Sequence, residues 1–191
     1  MIPLIVLIVV VILIVVFVVG LYNGLIQKRL RVDEALAQIE VQLKRRHDLI
    51  PNLVNTVKGS MEFERGTLEA VISARNKAVS AQGVAGTAKA EGELTQALGR
   101  LFALTENYPD LKSSANVLQL QEELTSTENK IGFARQLYND VATQYNTRQM
   151  QFPTNLVAGL AKASPAELWE IEDAAERAVP TVDLSFNKPP A

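Results

Sequence analysis

Cysteine is absent from the 191 residues, and histidine occurs once. The first absence removes disulfides, thiolate nucleophiles and thiolate metal sites, and leaves the redox compartment unread. The second removes any zinc or iron centre built on several imidazoles. Positive charge is in no excess: 19 Lys and Arg stand against 21 Asp and Glu, net −2 with a pI near 5.5, and the two signs are interspersed. Without a broad basic face the chain is not read as a nucleic-acid binder. Phosphate-cradling loops and nucleophile elbows are missing too. Gly83-Val84-Ala85-Gly86 has no Lys followed by Ser or Thr behind it and reads as a turn.

Charge is also missing from the first 27 residues, and here the absence says something positive. Residues 2–19 are almost unbroken Ile, Val and Leu, after which come Gly20, Tyr22, Asn23 and Gly24 and then the basic cluster Lys28, Arg29 and Arg31. About 20 apolar residues rising about 1.5 Å each as a helix cross a hydrocarbon core of about 30 Å. No second run approaches that length, and mean hydropathy is only +0.08, so one span plus one polar domain is expected. A cleaved signal peptide fits poorly: no Lys or Arg precedes the core, the core is long, and no small-residue cleavage site follows. The basic cluster behind the span favours a very short external N-terminus and a cytoplasmic domain.

Beyond the span the pattern is helical. Val32, Leu36, Ile39 and Leu43, then Ile50, Leu53, Val54 and Val57, recur at three- and four-residue steps. Neither Gly nor Pro interrupts residues 25–50, so span and first domain helix are expected to form one rod, kinked or broken near Pro51 and resuming to about Val79. Residues 80–89 read as a loop, 90–107 as a second helix ending at Tyr108-Pro109-Asp110. A third helix carries Leu120, Leu124, Thr127, Ile131, Ala134, Tyr138, Val141 and Tyr145 as a heptad-like stripe. A short helix at 155–162, a charged helical stretch to about 178 and an extended piece at 180–186 should follow. The expected fold is all-α: a transmembrane anchor at 1–27 continuing into an antiparallel bundle of long helices at 28–186, with a flexible tail at 187–191.

The densest polar cluster is Lys44-Arg45-Arg46-His47-Asp48. His47 as a base oriented by Asp48 fails on geometry, because neighbours on a helix point about 100° apart. Ion pairing, with Glu40 to Lys44 as a candidate, and surface or partner contact through Arg45, Arg46 and His47 are the remaining readings. A four-helix di-metal site needs Glu three residues before His, and that position is Lys44, so no metal or cofactor is expected. The carboxylates Glu40, Glu62, Glu64, Glu69, Glu106, Glu122, Glu123 and Glu128 read as solvated or capping. Tyr108 is foremost a plug at an interhelical corner and otherwise a contact residue. Tyr138, Asn139, Tyr145 and Asn146 place polar tips on the packed stripe and should fix helix register through hydrogen bonds. Gly20 and Gly24, four residues apart in the span, would let two helices approach closely.

Several blocks in this chain resemble the LemA family of bacterial membrane proteins. The most specific is Lys44-Arg45-Arg46-His47-Asp48-Leu49-Ile50-Pro51-Asn52-Leu53-Val54. Further matches are Tyr22-Asn23-Gly24-Leu25, Ala74-Arg75, Glu106-Asn107-Tyr108-Pro109-Asp110-Leu111-Lys112, Ala134-Arg135-Gln136-Leu137-Tyr138-Asn139, Phe152-Pro153 and Pro180-Thr181-Val182-Asp183-Leu184. The resemblance implies a short extracytoplasmic N-terminus, one span and a domain of long antiparallel helices, and carries over no catalytic or metal residue. The chain departs from the family pattern after Gly159, where many members are aromatic-rich and this one reads Leu160-Ala161-Lys162-Ala163-Ser164.

The resulting expectation is a non-enzymatic scaffold in the bacterial inner membrane. It would contact the lipid bilayer, self-associate as a homo-oligomer through Gly20 and Gly24, and recruit a membrane or cytoplasmic protein. The alternative is a ligand-binding or envelope-sensing module with Arg45, Arg46 and Tyr108 lining a pocket between helices. A hydrolase or metal-dependent oxidase would need carboxylates gathered in space.

Overall fold

The apolar run and the first domain helix are one element, α1 (Ile2–Lys58), about 85 Å long. The computed structural model describes residues 2–59, 61 and 64–170. After α1 come α2 (Arg65–Ser80), α3 (Val84–Thr105), the one-turn α4 (Pro109–Lys112), α5 (Ala115–Met150) and the one-turn α6 (Asn155–Ala158), with no strand among the described residues. The chain rises along α1, returns along α2, rises along α3 and descends along α5, which packs against α1 more extensively than any other pair of elements.

Pro51 does not interrupt α1. Proline has no N–H to offer the carbonyl four residues back, which is that of His47. Arg75 on α2 supplies the missing donor, its Nε bonding the His47 carbonyl at 3.3 Å. Ile50, Leu53, Val54 and Val57 are all buried around the proline and hold the helix straight on into the core. The break falls instead after Lys58, at Gly59, and Met61, with no exposed surface, plugs the bundle there.

The loop expected over 80–89 is only three residues long, 81–83. Gly83 makes the tight turn at φ 74°, a conformation that strains any side chain, and α3 starts directly after it.

Two hydrophobic clusters divide the bundle. The upper one, farther from the apolar segment, joins Ile50 to Val57 on α1 with Leu68, Val71 and Ala74 of α2, Leu94, Leu98 and Leu101 of α3, Leu111, and Val117 and Leu124 of α5. The lower one joins Leu25, Val32, Ile39 and Leu43 of α1 to Ile131, Tyr138, Ala142 and Tyr145 of α5, with Ala161 and Trp169. Four helical segments enclose the first. α1 and α5, with only Val84 and Ala88 from the start of α3, do not enclose the second, and the chain beyond α6 closes it.

That closure corrects two expectations. Residues 163–170 are not helical but run back up α5 as a strap; the rest of the expected helix, the extended piece at 180–186 and the tail lie outside the described residues. Asn139 and Asn146 do not set the register of neighbouring helices. Each pairs its side-chain amide with the strap backbone, Asn146 bonding both N (2.7 Å) and O (2.8 Å) of Ala166, and Asn139 both N (2.8 Å) and O (3.0 Å) of Trp169. Seven helical residues and three extended ones each span about 10 Å, so the two pairs fit in register. The Tyr138 hydroxyl donates to the Glu167 carbonyl at 2.6 Å. Burial, then the nearby carboxylates of Glu167 and Asp33, push that phenol above its ordinary pKa. Trp169 is seated in the lower core with the Arg135 guanidinium 5.2 Å above its ring.

Two predictions follow from these contacts. Arg75→Met should cost about 1 kcal/mol in urea denaturation, the net worth of one hydrogen bond, but much less in a Pro51→Ala background, where the restored N–H satisfies the His47 carbonyl. Equal costs in both backgrounds would refute the compensation. Asn139→Ala with Asn146→Ala removes four bonds to the strap. The emission of Trp169, the chain's sole tryptophan, should then shift to the red as the ring meets water, and it should stay blue if the strap is held by apolar contact alone.

Candidate functional site

On α1 the buried stripe reads Ile39, Leu43, Arg46, Ile50, Leu53, Val57, so a guanidinium occupies a core position. On α3 it reads Glu91, Leu94, Leu98, Leu101, with a carboxylate at its foot. These two charges meet at the seam between the two hydrophobic clusters. Arg46 is 3% exposed and Glu91 0%. Arg46 Nη1 lies 3.1 Å from Glu91 Oε2 and 3.1 Å from Glu128 Oε2 on α5, while Nη2 donates to Thr95 Oγ1 at 2.8 Å. The other Glu91 oxygen is 2.6 Å from Nε2 of His47, and the Thr95 hydroxyl in turn donates to the Glu91 backbone carbonyl at 3.0 Å. A full set of partners offsets the cost of removing both charges from water.

The site residues read from the sequence therefore separate. Arg46 and His47 are not surface contacts, because both are turned into the bundle and engaged with Glu91. Arg45 stays half-exposed and faces Glu123 at 3.8 Å. Tyr108, half-buried, caps α4 and packs on the upper cluster. Arg46 and Tyr108 thus sit on separate levels, as Glu128 lies about 20 Å along α5 from its start beside α4. They do not converge on a pocket. Asp48 pairs with Lys44 at 2.9 Å in place of the expected Glu40. That charged hydrogen bond holds the Asp48 carboxyl below its ordinary pKa.

Gly20 and Gly24 lie one turn apart on exposed α1 surface with open space where a Cβ would project. Among the described residues no group of three acidic, histidine or cysteine side chains is placed to hold a metal. Around Glu91 the guanidinium of Arg46 occupies the position a cation would need.

Glu91 is the residue that sequence reasoning missed. It precedes Leu94 by three positions and Leu98 by seven, so its place on the stripe was already readable within the expected helix at 90–107.

Residues 35–184 match the LemA family. The chain belongs to that family. Protein LemA of Metamycoplasma hominis is 31% identical over 142 residues, 73% of this chain and 64% of that protein, so this LemA-family chain spans less than two thirds of that relative. Magnetosome protein MamQ 2 of Paramagnetospirillum magneticum is 24% identical over 189 residues, covering 85% of this chain and 70% of that protein. Magnetosome protein MamQ of Magnetospirillum gryphiswaldense is 23% identical over the same shares. With its apolar N-terminal helix, this LemA-family chain is a membrane-associated helical protein. The family match takes in Arg46, His47, Glu91, Glu128, Asn139 and Asn146, and begins after the apolar segment.

The polar layer yields a graded prediction. Glu91→Ala leaves a buried guanidinium with Glu128 as its one remaining carboxylate and should cost about 3–5 kcal/mol, Glu91→Gln less, since its amide keeps hydrogen bonds. Replacing Arg46, His47 and Glu91 together by Leu, Phe and Leu should recover most of the loss. Thermal and urea denaturation of the solubilised protein read all three. A triple variant as unstable as Glu91→Ala would show that the layer stabilises by more than satisfying its own charges.

Proposed function

We propose that this LemA-family chain is a single-span, non-enzymatic scaffold of the bacterial inner membrane, its helical domain on the cytoplasmic side, which self-associates side by side and so presents a repeated surface to partners. One observation carries the reading. Gly20, Gly24, Gln27, Arg31, Glu34, Gln38 and Val41 alternate four- and three-residue steps and are all exposed, so one uncovered face of α1 runs from the apolar segment well into the domain. Over that length a straight helix drifts only about 60° from the pattern.

At its upper end this face opens into a groove between α1 and α5, lined by Glu34, Gln38, Val41, Lys130, Phe133 and Leu137. Val41 is 64% exposed and Phe133 74%, large apolar groups that an isolated soluble bundle has no reason to leave in water. The occupant that fits is a second copy. Copies inserted in one bilayer with one sense already stand parallel and level, so the same groove faces its counterpart, while Gly20 and Gly24 allow close approach below.

The non-enzymatic part rests on the commitment of the chain's single imidazole. His47 is 9% exposed with its Nε2 on buried Glu91, so little of the ring is open to a substrate. The cytoplasmic placement rests on Lys28, Arg29 and Arg31 directly above the apolar run.

Native mass measurement of the full chain in nanodiscs tests the reading. The wild-type protein should give a defined homo-oligomer, and Val41→Glu with Phe133→Glu should move it to monomer without loss of helicity. A wild-type monomer at micromolar concentration overturns self-association.

A further inference from the structure

The end of the bundle nearest the apolar segment carries a second set of uncovered apolar side chains. Met150 is 70% exposed, Phe152 77%, Leu156 68% and Leu160 73%. They belong to the turn that links the descending α5 to the ascending strap, so they occupy the lower extremity of the domain. Three neighbours in the same turn face inward: Thr154, Val157 and Ala161 are buried, the last within the cluster that contains Leu25.

The register of α1 against α5 sets the height of this turn. Asp33 lies near enough to Tyr138 to raise its phenol pKa, and Arg46 meets Glu128. From Tyr138, twelve residues of α5 lead to Met150, about 18 Å, and the same descent along α1 from Asp33 reaches Leu21. Counted from Arg46 and Glu128, it reaches Gly24. Either way Met150 stands level with the charge-free part of α1, and the turn lies at or below that level.

We infer that the turn carrying Phe152, Leu156 and Leu160 is a second membrane contact, a foot seated about 5–10 Å into the boundary between headgroups and acyl chains. The occupant is the bilayer itself, because the span of the proposed function places lipid at this level; the inference rests on that reading. Charge agrees with it. Lys28, Arg29 and Arg31 follow the span immediately, and Lys162 is exposed at the end of the foot, so cations stand at and just above the level of the apolar side chains, where anionic headgroups would lie. The first carboxylates on α1, Asp33 and Glu34, come about a turn further out.

The absence of cysteine makes the test direct. Single variants Phe152→Cys, Leu156→Cys and Leu160→Cys in the full chain, with Val11→Cys in the span and Ser126→Cys on the exposed side of α5 as references, are nitroxide-labelled. They are reconstituted in vesicles of phosphatidylethanolamine and phosphatidylglycerol. Collision rates with oxygen and with a water-soluble nickel chelate report depth.

The three foot labels should lie between the references, with an oxygen-to-nickel ratio several-fold above that at Ser126 and below that at Val11. Foot labels matching Ser126 while Val11 reads lipid overturn the foot and leave the span standing. A Val11 label that reads water overturns the span and the foot with it. Foot labels shielded from both reagents, with spin–spin broadening that vanishes on dilution in lipid, would mean that a second copy covers them and would equally overturn lipid contact.

Discussion

The vertical register of α1 against α5 is the constraint on which the other features depend, and the buried charge of Arg46 fixes it. Two long apolar stripes packed face to face can slide by a helical turn, about 5.4 Å, with modest loss of contact. A guanidinium in the stripe removes that freedom. At its present height it meets Glu91 from α3 and Glu128 from α5. One turn up or down it would face the apolar Leu124 or Ile131 and leave buried charges unpaired, at a cost of several kcal/mol. A polar residue on an apolar seam thus acts as an alignment mark for three helices at once.

The seam also separates two cores built on different principles. Above it, α2 and α3 complete a four-helix arrangement, and ordinary apolar packing suffices. Below it α3 contributes only its start, through Val84 and Ala88, and the contact faces of α1 and α5 would otherwise be open to water on one side. The strap answers this with side-chain amides where a third helix would use apolar ridges. Asn139 and Asn146 each offer a donor and an acceptor, matching the two backbone groups of one strap residue, so an extended segment is held without any sheet. Trp169 then fills the space that two helices leave.

Periodicity made the long elements legible: the continuity of the apolar run with the first bundle helix, the antiparallel course of α5 and the corner at Tyr108 can all be read from spacing and from breakers. What could not be read depends on partners distant in sequence. Pro51 predicts a break by local rules, and only Arg75, 24 positions later, supplies the donor that lets the helix continue. Residues 163–170 have a helical look in composition, and it is the amides of α5 that draw them out straight. Arg46 and His47 read as surface because five polar residues in a row dominate the eye, although Arg46 keeps step with Leu43 and Ile50 on the buried stripe. Glu91 lay inside the expected helix at 90–107, three residues before Leu94, but a carboxylate reads as buried only when its partner is known, and Arg46 is 45 positions away.

The uninterrupted α1 gives these features a common consequence. A lone span tilts and rotates freely, by about 20° on average from the bilayer normal, and an 85 Å rod multiplies that tilt into large displacements at its distal end. Lateral faces of two such rods meet in register only if both stand at the same angle, so free tilt makes association entropically costly. A second contact on the α5 side of α1, level with Leu21 to Gly24, would fix tilt and rotation together. It would aim the uncovered face of Gly20, Gly24 and Val41 along the plane of the membrane, where the proposed second copy would lie. With the proposed foot, the seam at Arg46 would set the geometry: by fixing how far α5 descends, it would decide whether the turn at Phe152 reaches the lipid boundary, and through that the angle at which the groove of Val41 and Phe133 is offered.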